Sequence, residues 1–412
     1  MLSRFDAIPI PGLGRLDFPR FVAACRTGIS RGDFNSVRLA LAEAAFMDGR
    51  FDVARKRYAR VGHESPLWLR ARLMDDWIRF HQGDFSTGWP RYPGADFEAP
   101  AVRQQRSDPA GWKVEVADPR QPRELAADLG MRRWSGDAPP DGPLLVWFNF
   151  KDSLGGEILA SRLVGPLQAR HPVPLVLAFA GRLVGLMQSW FPDCVVIDKK
   201  ADLVEATSGC GQYVLSRDLL RMLVARDEDF LAVAAGRLRE PPEAAGRGRS
   251  GGRRPRIALS WKTTNDEQGR YRNVPVSLLA DVIARHDVDW HVAQHGDIRD
   301  DVATFRTWAP HAGIHSDTLH PLGCMAAFAA ELADMDMVVT TDNTLLHLAG
   351  ALGIPTFAML SMPAYWAWPD GGRESRWYAS VKLLRQIRPG GWADVLDSLD
   401  AELESQLSRK NN

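Results

Sequence analysis

Hydrophobic residues follow two different patterns along the chain. In the first hundred residues they recur at helical spacing within the stretches 37–46 and 67–80. After residue 140, short uninterrupted apolar runs alternate with longer amphipathic segments. Such runs are typical of strands that are buried on both faces of a parallel sheet. The pattern therefore predicts a small all-α region followed by α/β structure.

Three similar tripeptides interrupt the helical region: Gly32-Asp33-Phe34, Gly49-Arg50-Phe51 and Gly83-Asp84-Phe85. The first two begin 17 residues apart and the last two begin 34 residues apart. A period of 34 residues is that of the tetratricopeptide repeat, in which two helices form each unit. We therefore predict a helical, tetratricopeptide-like module over residues 1–96. The alternative is a generic helical hairpin with Gly-x-Phe turns.

Residues 97–140 are rich in Pro, Asp and Arg, which indicates an extended connector with Trp112 and Trp134 as anchors. An α/β domain is predicted to follow over residues 141–242. Its expected strands are 144–148, 173–179 and 194–197, and its expected helices are 157–170 and 180–190. Strands that alternate with helices imply a parallel sheet with right-handed crossovers.

A second α/β domain is predicted over residues 257–412, after a Gly- and Arg-rich linker at 243–256. The arginines of that linker are alternatively contacts for a phosphate. The expected strands of the second domain are 256–261, 289–293, 337–341 and 354–360, and the expected helices are 276–284, 325–335 and 343–352. Two consecutive α/β domains of Rossmann-like type create a cleft between the carboxyl edges of their sheets, where ligands usually bind.

Composition narrows the classes of function. The 412 residues include 51 basic and 51 acidic side chains, so the formal net charge is zero. A nucleic acid is therefore not expected as a partner, because phosphate backbones select basic proteins. The four cysteines form no CxxC pair, which argues against a zinc or disulfide framework and favours the cytoplasm.

We expect neither a signal peptide nor a membrane span. No apolar segment follows the first basic residue of the N-terminal sequence. The most apolar stretch, 174–187, includes Arg182 and two glycines. It is better explained as a buried strand that continues into a helix.

The residues most suggestive of chemistry lie in the stretch 338–355. A predicted strand brings Asp342 and Asn343 to the start of the helix expected over 343–352. The first turn of a helix offers unpaired N–H groups and a partial positive charge, which suit a diphosphate. His347 lies one turn further on the same face. Alternatively, Asp342 or Asn343 only caps the helix and His347 belongs to the core.

This stretch resembles the nucleotide-binding segment of bacterial heptosyltransferase-type glycosyltransferases. It is even more similar to tetratricopeptide-containing glycosyltransferases related to O-GlcNAc transferase, with the pattern D-T-x-x-x-H-L-A-G-A-L-G-x-P. The resemblance extends in the same order over roughly residues 30–395. Its other phrases are 83–85, 88–89, 133–136, 259–261, 272–275, 366–368, 376–378, 384–386 and 391–392.

The resemblance implies the GT-B architecture, in which two Rossmann-like domains face a cleft and the C-terminal domain binds a nucleotide-sugar without a metal. It places Asp342, Asn343, Thr344 and His347 near the donor, and it assigns the diphosphate to Arg272. Further donor contacts are then expected at Lys262, Thr263, Thr264 and Gln294. Lys262 is alternatively an exposed loop lysine. No separate cofactor is expected, since the nucleotide-sugar is a substrate.

The chain departs from the family pattern at several positions. Where the family has G-L-G-D, this chain has Gly156 in place of the aspartate, to which the resemblance to heptosyltransferases assigns the role of base. Glu157 is the first substitute and Asp152 the second, because either carboxylate can act as a base within reach of the acceptor. Glu157 alternatively only favours the helix N-terminus. The family threonine is Asn343 here, and the arginine of W-R-W is Ala367.

The leading hypothesis is an inverting glycosyltransferase that moves a sugar to a hydroxyl acceptor. The helical module is expected to present a protein acceptor, or else to act as a brace or dimer contact. One alternative is a non-catalytic sugar-nucleotide-binding scaffold, for which Gly156 is the best support. Another is a sugar-nucleotide epimerase or hydrolase of GT-B type. The donor, the class of acceptor (protein, lipid or polysaccharide) and the oligomeric state stay open.

Overall fold

The computed structural model describes residues 18–91, 129–148, 154–199, 205–224, 229–230, 233, 254–263, 269 and 271–411. They belong to two compact units. The helical unit contains the N-terminal helices together with residues 361–371 and 385–391. The α/β unit contains two sheets, and every strand pair with a determined register in them is parallel.

Five helices form the N-terminal part of the helical unit: α1 (Phe18–Ser30), α2 (Phe34–Met47), α3 (Phe51–Tyr58), α4 (Trp68–His81) and α5 (Phe85–Arg91). The stretches 37–46 and 67–80 coincide with α2 and α4, as the hydrophobic pattern predicts. Each Gly-x-Phe tripeptide is an interhelical turn, because its glycine has positive φ and its phenylalanine begins the next helix. Their resemblance to tetratricopeptide repeats stays a prediction.

Residues 361–371 pack on the helices of their unit. The ring of Tyr365 lies edge-on to Trp77 of α4 at 5.5 Å, and the ring of Trp366 lies 5.8 Å from Phe80. Asp370 donates its backbone N–H to His81 O and pairs through Oδ2 with His81 Nε2 at 3.1 Å. Residues 361–371 therefore belong to the helical unit. The sequence instead predicts them as part of the C-terminal domain, 257–412.

The first sheet has the strand order β1-β5-β2-β3-β4. Its elements in chain order are β1 (Arg132–Arg133), β2 (Leu144–Trp147), α6 (Leu154–Ser161), α7 (Val164–Arg170), β3 (Leu175–Phe179), α8 (Gly181–Trp190), β4 (Val195–Asp198), β5 (Gln212–Leu215) and α9 (Ser216–Leu223). The single helix predicted over 157–170 is instead two helices. Pro166 explains the break, since proline has no N–H to donate to the preceding turn.

The second sheet has the order β11-β10-β9-β6-β7-β8. Its elements are β6 (Arg256–Ser260), α10 (Val276–Ile283), β7 (Asp289–Val292), α11 (Arg299–Trp308), β8 (Gly313–His315), α12 (Met325–Ala333), β9 (Met337–Thr341), α13 (Thr344–Leu352), β10 (Thr356–Leu360), β11 (Val381–Arg385) and α14 (Trp392–Asn411). Its core is formed by fully buried residues such as Trp261, Trp290 and Leu279. The four predicted strands and three predicted helices are all present.

The end of the predicted connector belongs to the first sheet. Arg132 and Arg133 form β1, which pairs with β5, and Trp134 is buried with its Nε1 donating to Ala138 O at 2.7 Å. The connector up to residue 128, with Trp112, and the linker 243–253 lie outside the described residues. In the part of the chain that is described, no helix is both long and apolar enough to cross a membrane.

Candidate functional site

The carboxyl ends of β6, β7 and β9 are joined by a chain of buried polar side chains. Asn343 Nδ2 donates to Ser260 Oγ at 2.8 Å, and Ser260 Oγ donates to Gln294 Oε1 at 2.8 Å. Gln294 Oε1 also accepts the backbone N–H groups of Trp261 and Lys262. The strand ends thereby fix the loop after β6 at the edge of the sheet where ligands of open α/β folds bind.

Asn343 is the N-cap of α13. Its Oδ1 accepts the N–H groups of Leu345 and Leu346 at 3.0 and 3.4 Å and the hydroxyl of Thr340 at 3.1 Å. Two backbone amides of the first turn therefore already donate to Asn343. This residue caps the helix, as the alternative interpretation of the motif predicts. Gln294 is likewise buried, with an amide that is engaged in the fold. Donor contacts by Asn343, Thr344 and Gln294 stay predictions.

Arg272 and Asp342 meet next to the start of α13. Arg272 Nη1 lies 3.4 Å from Asp342 Oδ2, and the side chains are 11% and 9% exposed. The guanidinium also lies 6.0 Å from the ring centroid of Tyr271. This is an oriented cation at the carboxyl edge of the sheet, with the chemistry that a diphosphate requires.

Lys262 lies at the same edge but is held by residues at and just before the start of α11. Its Nζ donates to Asp301 Oδ2 and to Asp297 O, both at 2.8 Å. Asp301 also accepts Trp261 Nε1 at 2.9 Å. The backbone N–H of Thr263 donates to Asn273 Oδ1 at 2.8 Å, while Thr264 lies outside the described residues. The prediction that Lys262 contacts phosphate therefore requires that a ligand compete with Asp301.

His347 is buried between the two sheets. Its Nδ1 forms a hydrogen bond of 3.1 Å with the hydroxyl of Tyr378. Burial lowers the pKa of His347 to about 4; Asp342 opposes this shift and Arg272 reinforces it. Burial also raises the pKa of Tyr378. At neutral pH the buried His347 ring is thus uncharged, and its proximity to the donor stays a prediction.

The first turns of α6 and α13 pack directly on each other. A Cβ atom on Gly155 would lie 2.7 Å from His347 Cδ2 and 3.4 Å from Thr344 Cα. The guanidinium of Arg162, which follows α6, lies 4.9 Å above the ring of Tyr378. Helix α6 of the first sheet is therefore held against the second sheet near both of its ends.

Glu157 lies in the first turn of α6 and is buried. One carboxylate oxygen pairs with Lys199 Nζ, and the other accepts the N–H of Ala180 at 2.9 Å. Lys199 Nζ also donates to Phe148 O at 2.8 Å. The pair thus connects the carboxyl ends of β2, β3 and β4. Asp152, the second predicted base, lies outside the described residues.

Two cations at this edge are absent from the sequence-based predictions. Lys199 follows β4 directly, and Arg182 lies in the first turn of α8, after β3. Arg182 Nη2 donates to Pro321 O and Gly323 O, at 2.9 and 3.2 Å, on the loop before α12. Its charge also contributes to a lowered pKa of His295, for which burial is the main cause. Both cations come shortly after a strand in the sequence, and this position could have identified them as candidates for the site.

The described residues at these strand ends offer fixed cations and backbone amides. Among the described residues, no group of three or more His, Cys, Asp and Glu side chains has the arrangement of a metal site. Arg272 is placed to bind an anion, and Asp342 to orient Arg272 or accept a hydroxyl. A nucleoside diphosphate has both kinds of group.

Comparisons with known proteins give distant similarities. No family model matches the chain. Protein FlbA of Caulobacter vibrioides is 26% identical over 287 residues, which cover 64% of this chain and 46% of that protein. The chain thus matches less than half the length of this curated relative.

Two solved structures cover a similar share of the chain. The ADP-heptose lipopolysaccharide heptosyltransferase II of E. coli has 15% identity and a TM-score of 0.42, with 64% of this chain and 99% of that chain covered. A family 9 glycosyltransferase of Veillonella parvula has 12% identity and a TM-score of 0.47, with 67% and 98% covered.

Proposed function

We propose that this protein is a glycosyltransferase that moves a sugar from a nucleotide-sugar to a hydroxyl acceptor. The observation that carries this proposal is the Arg272–Asp342 pair at the start of α13, beside the polar chain that joins β6, β7 and β9. The motif resemblance of the stretch 338–355 provides the second support. The same two features favour the C-terminal sheet as the donor-binding side.

In the proposed reaction the acceptor hydroxyl attacks the anomeric carbon from the face opposite the leaving group. The bond between that carbon and the phosphate oxygen breaks, and the nucleoside diphosphate leaves with the electron pair. Arg272 would neutralise the charge that develops on the diphosphate, which is commonly the largest contribution to catalysis. Asp342 would hold the guanidinium in position from the other side. The configuration at the anomeric carbon is inverted.

We propose Asp152 as the base that accepts the proton of the acceptor. Glu157 is less suitable because it is buried and each of its oxygens is already engaged, one by Lys199 and one by Ala180. A base must reach the hydroxyl that it deprotonates. We assign Glu157 and Lys199 a positioning role at the edge of the first sheet.

The proposal includes action without a metal and a cytoplasmic location, as the family resemblance and the cysteine usage favour. The direct test is titration of the full chain with UDP, GDP, ADP and CMP and their sugar conjugates, with and without EDTA, by calorimetry. One nucleotide is expected to bind saturably and to keep its affinity in EDTA. Arg272→Ala should weaken it about 10- to 100-fold, the effect of losing a charge-assisted contact of about 1.5–3 kcal/mol.

Arg285→Ala is the matched control. Arg285 also pairs with an aspartate, Asp400, but it is 55% exposed and lies between α10 and β7, at the opposite edge of the second sheet. This variant should bind the nucleotide as the wild type does. Absence of binding by every nucleotide, or equal weakening by both substitutions, would remove the donor site from this edge.

A second candidate is a scaffold that binds the sugar-nucleotide without transferring the sugar. The specific observation in its favour is that Gly156 replaces the family aspartate while Glu157 is occupied in an ion pair. Donor consumption separates the two functions. A scaffold would bind the nucleotide-sugar and leave it intact over hours, whereas an enzyme would release the nucleoside diphosphate when it is supplied with an acceptor. Asp152→Asn should abolish that release without weakening donor binding.

A further inference from the structure

The eight arginines between residues 34 and 81 of the helical unit fall into two groups. One group pairs with carboxylates of the same unit and consists of Arg50, Arg55, Arg70, Arg72 and Arg79. The other group consists of Arg38, Arg57 and Arg60, which we call the arginine patch. Its members form no ion pair with any carboxylate in the part of the chain that the structure describes.

The arginine patch is a fixed surface on α2 and α3. Arg38 Nη1 donates to Asn35 Oδ1 at 3.1 Å and to Arg60 O at 3.0 Å. Arg57 Nη1 donates to Leu41 O at 2.7 Å. Arg38 and Arg60 are exposed and Arg57 is half-buried. These hydrogen bonds hold the side chains of Arg38 and Arg57 in place, so that less conformational entropy is lost when a ligand binds them.

The patch concentrates positive charge. Residues 18–91 contain 13 basic and 8 acidic side chains, whereas the whole chain contains 51 of each. Partial burial and then the charges of Arg50 and Arg60 lower the pKa of Arg57. Cations that repel one another at an exposed surface form a natural site for an anionic partner.

We propose that the arginine patch docks an acidic segment of another polypeptide, rich in Asp and Glu. Guanidinium groups suit carboxylates because their N–H groups can bind both oxygens. The balanced charge of the whole chain disfavours nucleic acid. The aromatic residues of α4, a second surface of the same unit, already bind the chain's own residues 361–371. This docking is independent of whether the chain transfers a sugar.

The test measures binding of a fluorescent octaglutamate peptide to the full chain by anisotropy, at several salt concentrations. The triple variant Arg38→Gln, Arg57→Gln, Arg60→Gln should weaken binding about tenfold or more, if each exposed ion pair contributes about 0.5 kcal/mol. It should also reduce the dependence of affinity on salt. The triple variant with lysines at the same positions should bind in between, since it keeps the charge and loses the planar guanidinium.

The matched control replaces three exposed arginines of the α/β unit by glutamine: Arg132, Arg285 and Arg299, which are 75%, 55% and 88% exposed. It removes the same charge and should bind the peptide as the wild type does. Equal weakening in both triple variants would overturn the proposal, because binding would then follow net charge alone. Binding of phosphatidylserine vesicles or duplex DNA through the patch, without binding of the peptide, would also overturn it.

Discussion

Replacing His347 by glutamine should make the stability of the α/β unit less dependent on pH. His347 is buried, and its pKa in the folded protein is about 4, against about 6.5 for an exposed histidine. Below pH 6.5 the unfolded chain therefore takes up a proton that the folded protein does not. The stability that the neutral ring contributes is complete above pH 6.5 and is lost as the pH falls towards 4. The loss amounts to about 2 kcal/mol at pH 5 and about 3 kcal/mol over the whole range.

The assay is unfolding in urea, followed by tryptophan fluorescence at pH 7.5 and pH 5. Glutamine can keep a hydrogen bond to the hydroxyl of Tyr378 but does not titrate. All other titrating groups are common to both proteins, so their effects cancel in the difference between the two pH dependences. The wild type should lose about 2 kcal/mol more than His347→Gln between the two pH values. Equal losses would refute the assignment of His347 as a buried neutral group.

The uncharged state of His347 also affects how ligand binding should depend on pH. A histidine with a pKa of about 4 carries no charge between pH 6 and pH 8. The nucleotide affinities of the wild type and His347→Gln should therefore depend on pH in the same way between pH 6 and pH 8. A step in that range that disappears in His347→Gln would indicate that His347 becomes charged when the ligand binds, and would support its predicted position near the donor.

Three further substitutions test the packing and the caps. Gly155→Ala should destabilise the α/β unit by about 1–3 kcal/mol in urea unfolding, because the added Cβ meets His347 at 2.7 Å, whereas Gly165→Ala, with open space around it, should be neutral or slightly stabilising. Asp33→Ala should cost the helical unit about 1 kcal/mol of thermal stability, because Asp33 caps α2 through Ser36 N; Asp33→Asn keeps the acceptor and should cost less. Arg182→Ala should speed amide hydrogen exchange in residues 316–324, where it binds two carbonyl groups, and unchanged exchange there would contradict that role.

The elements that the hydrophobic pattern predicts well are those buried on both faces. All residues of β9 and β10 are buried, and both strands are recognised within two residues of their ends. The pattern fails for β8, whose three residues are all half-buried, and for β1, which has two residues. It also misses α11, in which only Val302 and Phe305 are buried. Periodicity signals an element only when enough of its residues face a core.

The chemistry of the candidate site depends on contacts that no local pattern reveals. Asn343 binds Ser260, 83 residues away, and Lys199 binds Glu157, 42 residues away. The motif around Asn343 predicts a polar residue at the carboxyl end of a strand, and Asn343 does lie just after β9. Whether a polar residue there serves the fold or a ligand depends on the partner that the distant strand supplies. The sequence suggests Glu157 as a base because it does not reveal that Lys199 pairs with this carboxylate.

The residues in the candidate site differ in how far their polar groups are already engaged by hydrogen bonds within the fold. Asn343, Gln294 and Glu157 are engaged by backbone or strand-end groups, so that replacing them would disturb the frame before it disturbed chemistry. Arg272 and Lys262 instead end in charged groups that an anionic ligand can contact. Asp342 orients Arg272, whereas the ligand would compete with Asp301 for Lys262. Most polar residues of such a motif therefore stabilise the strand ends and the helix start, which form a frame around the site. For the proposed glycosyltransferase, the identity of the donor should depend on the few cations that the frame holds at its edge.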